Sequence, residues 1–143
     1  MVRVGNGPEA ERLFRDSLAI RERLAAADPG SADPQSDLSY TLTTLGDLAQ
    51  ESTKLAEAET FYRRALAVDR HLAEMDETNA RAQQDLDVSF QRLGDLLTST
   101  GNTAEARQIQ GDHLEWLERR LDPDDPAVQA VRDKLQGLDR AGQ

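Results

Sequence analysis

Apolar residues recur along most of this chain at spacings of three and four. Between residues 37 and 52, Leu38, Leu42, Leu45 and Ala49 share one helical face. Between 55 and 75, Phe61, Ala65, Val68, Leu72 and Met75 form a second stripe, widened by Tyr62 and Leu66, as suits a helix packed on two neighbours. Runs of Val, Ile, Thr and Tyr with period-two alternation are missing, which argues against strands. The pattern predicts helices at about 8–27, 34–51, 54–75, 79–99, 103–121 and 125–138. Short polar loops such as "EST" and "STGN" join them, so sequential helices should run antiparallel. Pro29 and Pro34 are expected to break helices in the first long junction. The matching stretch "MDETNARAQ" has no proline and is expected to be tighter or partly helical. In "DPDDP" Asp125 reads as a helix N-cap with Pro126 in the first turn, and "AGQ" as a frayed tail.

The pattern is also periodic on a longer scale. "DLSYTLTTLGDL" (37–48) lies over "DLDVSFQRLGDL" (85–96) at an offset of 48. The same offset lays "ERLFRDSLAIRERLA" (11–25) over "ETFYRRALAVDRHLA" (59–73) and "AEA" at 56 over "AEA" at 104, without a gap. "GNGPEA" (5–10) and "GNTAEA" (101–106) stand two periods apart, and the middle copy, Thr53-Lys54, has lost the glycine. A fixed period of this size is the mark of a repeat architecture. The column Ile20, Val68, Trp116 reads as a core slot, which assigns Trp116 to packing. No linker divides the chain, so a single domain at 8–138 is expected: units at about 8–36 (partial), 37–84 and 85–123, and a capping helix at 125–138 presenting Val128, Val131, Leu135 and Leu138.

Two helices per unit, with "LGD" late in the first and "AEA…FYRRAL" in the second, resemble the tetratricopeptide repeat. Leu42 and Phe90 take the family's first large apolar slot, and Leu45-Gly46 and Leu93-Gly94 its Leu-Gly step. Ala58, Tyr62 and Ala65, and Ala10 and Phe14, take the later slots. The period exceeds the family's usual length, and Arg70 stands near the place of the closing proline, which resembles the long-helix variant common in bacterial multidomain proteins. In the third copy Gln110 replaces the aromatic and His113 the alanine, so that copy is either degenerate or a cap. The resemblance implies an all-α fold, an α-solenoid of antiparallel helix pairs with about six helices. It also implies a protein-binding module or scaffold, and such arrays bind many different partners.

Charge and composition narrow the chemistry. A net charge of −10 with no basic stripe excludes nucleic acid as an expected partner and disfavours an anionic membrane. It favours a neutral or basic protein or peptide. With no cysteine, disulfides and thiol chemistry are excluded. No apolar run is long enough to span a membrane and "MVRVGNG" carries no signal core, so a cytoplasmic location is the default expectation. His71 and His113 occupy non-equivalent positions without a ligand motif, Ser39 and Ser89 have no recognisable base, and "GNGP" lacks the Lys-Ser/Thr of a phosphate loop. "DPDDP" has too few oxygen ligands for a calcium loop. The expectation is no enzyme, no metal and no cofactor.

Arrays resembling this one bind extended peptides on the concave face lined by first helices. That face carries Tyr40, Thr43, Asp47 and Gln50 in one unit and Val88, Gln91, Asp95 and Thr98 in the next. Tyr40 and Val88 would hold apolar side chains, and Asp47 and Asp95 would anchor Lys or Arg. Arg92 is the only nearby cation, so the carboxylate clamp of some relatives is expected to be absent. The helix "PEAERLFRDSLAIRERLA" has no first helix of its own unit, which makes Leu13, Phe14 and Leu18 a candidate oligomer interface. Self-assembly into a homodimer or larger homo-oligomer is therefore the alternative to partner docking.

Overall fold

A computed structural model describes residues 7–141. It contains α1 (Gly7–Ala27), α2 (Ala32–Glu51), α3 (Leu55–Met75), α4 (Ala80–Ser99), α5 (Thr103–Glu118) and α6 (Pro126–Ala141), with no strand among the described residues. The chain is thus an all-α array of helix pairs. Gly7, Leu55 and Thr103 open α1, α3 and α5 at intervals of 48, and Ala32 and Ala80 open α2 and α4 at the same interval. Gly5 and Asn6 of the first "GN" loop, and Gly142 and Gln143 of the expected tail, lie outside the described residues.

Turn chemistry explains why short helices stop where they do. Beyond α2, the Thr53 amide donates to the Gln50 carbonyl and the Lys54 amide to the Ala49 carbonyl, with Thr53 at φ 58°. Beyond α4, the Gly101 amide donates to Thr98 and the Asn102 amide to Leu97, with Gly101 at φ 81°. This is the Schellman cap, which satisfies the last carbonyls of a helix by a left-handed residue. The backbone requirement persists in the copy that lost its glycine, and a threonine meets it.

The longer junctions differ from expectation. Pro34 does not break a helix: it sits in the first turn of α2, where a missing N–H costs no hydrogen bond. The proline-free junction is not tighter either, since α1 to α2 and α3 to α4 are separated by the same four residues. The second junction uses side chains instead: the Thr78 amide donates to Asp76 at 2.9 Å, and the Ala82 amide to Asn79 at 3.1 Å. At the end of the chain α5 stops at Glu118, and α6 continues through Ala141 into the expected tail. The Ala127 amide donates to Asp125 at 2.9 Å, the N-cap contact read from "DPDDP".

The chain forms two compact units, up to Ser89 and from Phe90, with the boundary inside α4. In the first unit α2 packs against both α1 and α3. Its core joins Ala25, Leu38, Leu42, Leu45, Phe61 and Ala65, and Phe14, Leu18 and Val68 pack against it. Tyr62 lies so close over Gly46 that a Cβ there would meet the ring at 2.5 Å. The start of α3 thus meets the end of α2, as an antiparallel pair requires. In the second unit α5 packs against α6, with Leu117, Val128 and Val131 buried and Leu114 and Trp116 packed on them. Ile20 departs from the core slot assigned to its column: it is 51% exposed, whereas Val68 and Trp116 pack on apolar clusters.

Candidate functional site

The candidate partner-binding residues divide between the units: Tyr40, Thr43, Asp47, Gln50 and Val88 in the first, Gln91, Asp95 and Thr98 in the second. On α2, spacings of three and four place Tyr40, Thr43, Asp47 and Gln50 along one face. Tyr40 is 62% exposed, Gln50 is exposed, and Thr43 and Asp47 are half-buried. Val88, on α4, is half-buried. The Tyr62 hydroxyl lies 2.5 Å from Asp47 Oδ1 and 2.9 Å from Gln50 Oε1. A hydroxyl has one proton to give, so it donates to one of these two acceptors at a time.

In the second unit Gln91, Asp95 and Thr98 line an exposed face of α4. Lys134 on α6 donates to Asp95 at 3.0 Å, and Thr98 donates to the Gly94 carbonyl at 2.8 Å. Both carboxylates expected to act as anchors therefore already hold intrachain donors.

Along α1, Leu13 is 55% exposed, whereas Phe14 and Leu18 are half-buried against the core of the first unit. The exposed companions of Leu13 are Ile20 at 51% and Leu24 at 54%. Spacings of seven and four put the three on one stripe. Ile20 and Leu24 lie outside the interface expected from sequence because their counterparts at the 48-residue offset, Val68 and Leu72, belong to the packed stripe of α3. Their helical spacing to Leu13 was the available signal.

The serines at 39 and 89 flank a group the sequence did not single out. Asp69 on α3 is 1% exposed, and Ser89 Oγ donates to its Oδ2 at 2.5 Å, leaving Oδ1 without a donor. Burial pushes the Asp69 carboxyl up to about 6. Hydrogen bonding to Ser39 and Ser89 pulls the other way, Asp85 adds to the rise, and Arg81 opposes it. Ser39 and Ser89 are each 2% exposed, so a substrate has no path to these atoms in this arrangement. His113 is likewise buried and stacks on Phe90 at 4.9 Å, while His71 is exposed. Among the described residues, no three His, Cys, Asp or Glu side chains stand together as a metal site needs, and no helix is long and apolar enough to cross a membrane.

Comparison with known proteins agrees with this architecture. A family model described as tetratricopeptide repeat matches residues 2–29, which supports the resemblance; of the positions that carry it, Ala10 and Phe14 lie within that match. No curated protein matches the chain. Among solved structures, the crystal structure of BtubC (BKLC) from P. vanneervenii is similar at a TM-score of 0.63 and 19% identity, over 94% of this chain. The chain spans 50% of the length of that structure. The likeness shows a shared helical-repeat fold.

Proposed function

We propose that this chain is a non-catalytic protein-interaction module that docks a peptide or partner helix on the exposed faces of its first-type helices. The observation that carries the reading is Tyr40: a large aromatic, 62% exposed, on a helix whose opposite face is buried. An amphipathic ring held on a rigid helix offers contact area at low entropic cost, the property that enriches tyrosine at interfaces. Thr43 and Gln50 flank it, and Asp47 is oriented by Tyr62. Asp95, oriented by Lys134, offers a comparable anchor in the second unit. The net charge of −10 favours a neutral or basic partner over an acidic one. A cytoplasmic, bacterial setting is part of the same proposal.

The test compares the parent chain with Tyr40→Ala and Asp95→Ala in pull-down, followed by calorimetry on whatever partner the parent captures. A drop in affinity of about tenfold in the Tyr40 variant, with unchanged helical circular dichroism, supports docking on α2. Unchanged affinity in both variants removes these faces from the proposal.

A further inference from the structure

We propose that the outer face of α1, with the pocket at its C-terminal end, docks an amphipathic helix of a partner protein that carries an aliphatic stripe and a Lys or Arg near its N-terminus. The proposal rests on the reading of the chain as an interaction module but uses a different face from Tyr40.

The aliphatic part follows from the internal repeat. Leu13, Ile20 and Leu24 correspond, 48 residues on, to Phe61, Val68 and Leu72 of α3. Phe61 is 7% and Leu72 1% exposed, and Phe61 and Val68 join one cluster with Leu38, Leu42 and Leu45 of α2. The same register on α1 leaves three aliphatic side chains more than half exposed. The α2–α3 pair therefore shows the shape of occupant that this stripe accepts: a helix with leucines at spacings of four and three.

The basic part follows from the pocket. Between the end of α1 and the start of α2 lies an open cavity of about 300 Å³, walled by Leu24, Ala27 and Pro34, with Asp28 and Asp33 beside them. Leu24 belongs to both stripe and pocket, so the two surfaces are continuous. Arg21, which also lines the cavity, is bound to Asp37 at 3.0 Å. No cation pairs with Asp28 or Asp33 among the described residues. Apolar walls with carboxylates that form no ion pair match a side chain that has an aliphatic stem and a cationic head. A helix lying on α1 as α2 lies on α3 runs antiparallel to it and brings its first turns to this pocket. A second copy of the chain fits poorly, because it carries the same aspartates and a net charge of −10.

Two synthetic peptides serve as probes: a copy of residues 31–52, and the same copy carrying Asp33→Lys and Asp37→Lys. Binding to the full chain is read by fluorescence anisotropy. The lysine peptide is expected to bind about tenfold tighter than the plain copy. The protein variant Ile20→Glu/Leu24→Glu should lose both peptides, and Asp28→Asn/Asp33→Asn should bind the two alike. All four positions are surface positions, and circular dichroism checks the fold. Equal affinities of the two peptides for the parent, no binding at all, or binding indifferent to Ile20→Glu/Leu24→Glu would each overturn the proposal. Loss on Tyr40→Ala instead would sink this site while leaving docking on α2 standing. Self-association in light scattering that Ile20→Glu/Leu24→Glu abolishes would assign the face to a second copy and overturn the proposal too.

Discussion

The side chain of Gln83 donates to the main-chain carbonyl of Ala73 at 3.2 Å, and 48 residues earlier Gln35 does the same to Ala25 at 3.1 Å. Ala73 and Ala25 each lie in the last turn of a helix, where carbonyls have no partner within the helix. The glutamine near the start of the next helix supplies the missing donor, so the repeat conserves a tertiary cap as well as a fold. Gln83→Leu is expected to lower stability by about 1–2 kcal/mol, because Gln83 is 7% exposed and its loss orphans a covered carbonyl. Gln35→Leu should cost less, since Gln35 is only half-buried. Urea unfolding of both variants gives the comparison, and a larger effect at Gln35 would contradict it.

Thr53 holds a left-handed backbone angle, φ 58°, in the position where Gly101 stands one unit later. A β-branched residue there stores about 1 kcal/mol of strain. Thr53→Gly is expected to raise the thermal midpoint, and Gly101→Ala to lower it. Opposite signs in one scanning-calorimetry series are the signature to look for.

Gly46 and Gly94 are equivalent, yet their replacement by alanine should differ. A Cβ at Gly46 meets the Tyr62 ring at 2.5 Å, and that ring is tethered through its hydroxyl to Asp47. Gly46→Ala is expected to cost about 2 kcal/mol. At Gly94 the Cβ meets the end of the Gln110 side chain, which can shift. The better helix propensity of alanine then offsets much of the clash, leaving a net change within about 1 kcal/mol. Chemical unfolding that ranks the two in the reverse order would count against this account.

Asp69 makes stability depend on pH in an unusual direction. Its carboxyl is raised from 3.8 to about 6 by burial, so folding favours the protonated form. Its contribution is fully present below about pH 4 and is lost as pH rises through about 6. The groups facing it are Ser39 from α2 and Ser89, Asp85 and Arg81 from α4, and Asp85 is itself raised by burial. Asp69→Asn keeps an acceptor for Ser89 and has no charge to bury. The variant is expected to gain on the parent by up to about 3 kcal/mol between pH 4 and pH 7.5. Parallel stability–pH curves for the two proteins would show that Asp69 does not titrate in this range.

The sequence by itself determined the six helices and the N-cap at Asp125, and it displays segments that match at an offset of 48 residues. These rest on local chemistry: apolar spacings of three and four, and Asp125 ahead of Pro126. They also rest on the recurrence of Leu-Gly-Asp-Leu, which pattern alone displays. Only the tertiary structure decided which faces are covered. Ile20 sits in an apolar column but stands exposed, while Phe14 and Leu18 turn into the core, because burial depends on which neighbour occupies each side of a helix. The same holds for Asp69 between Ser39 and Ser89, and for Asp47 beneath Tyr62. Those contacts join residues on different helices, and their energy comes from desolvation and distance, which no single-helix period encodes.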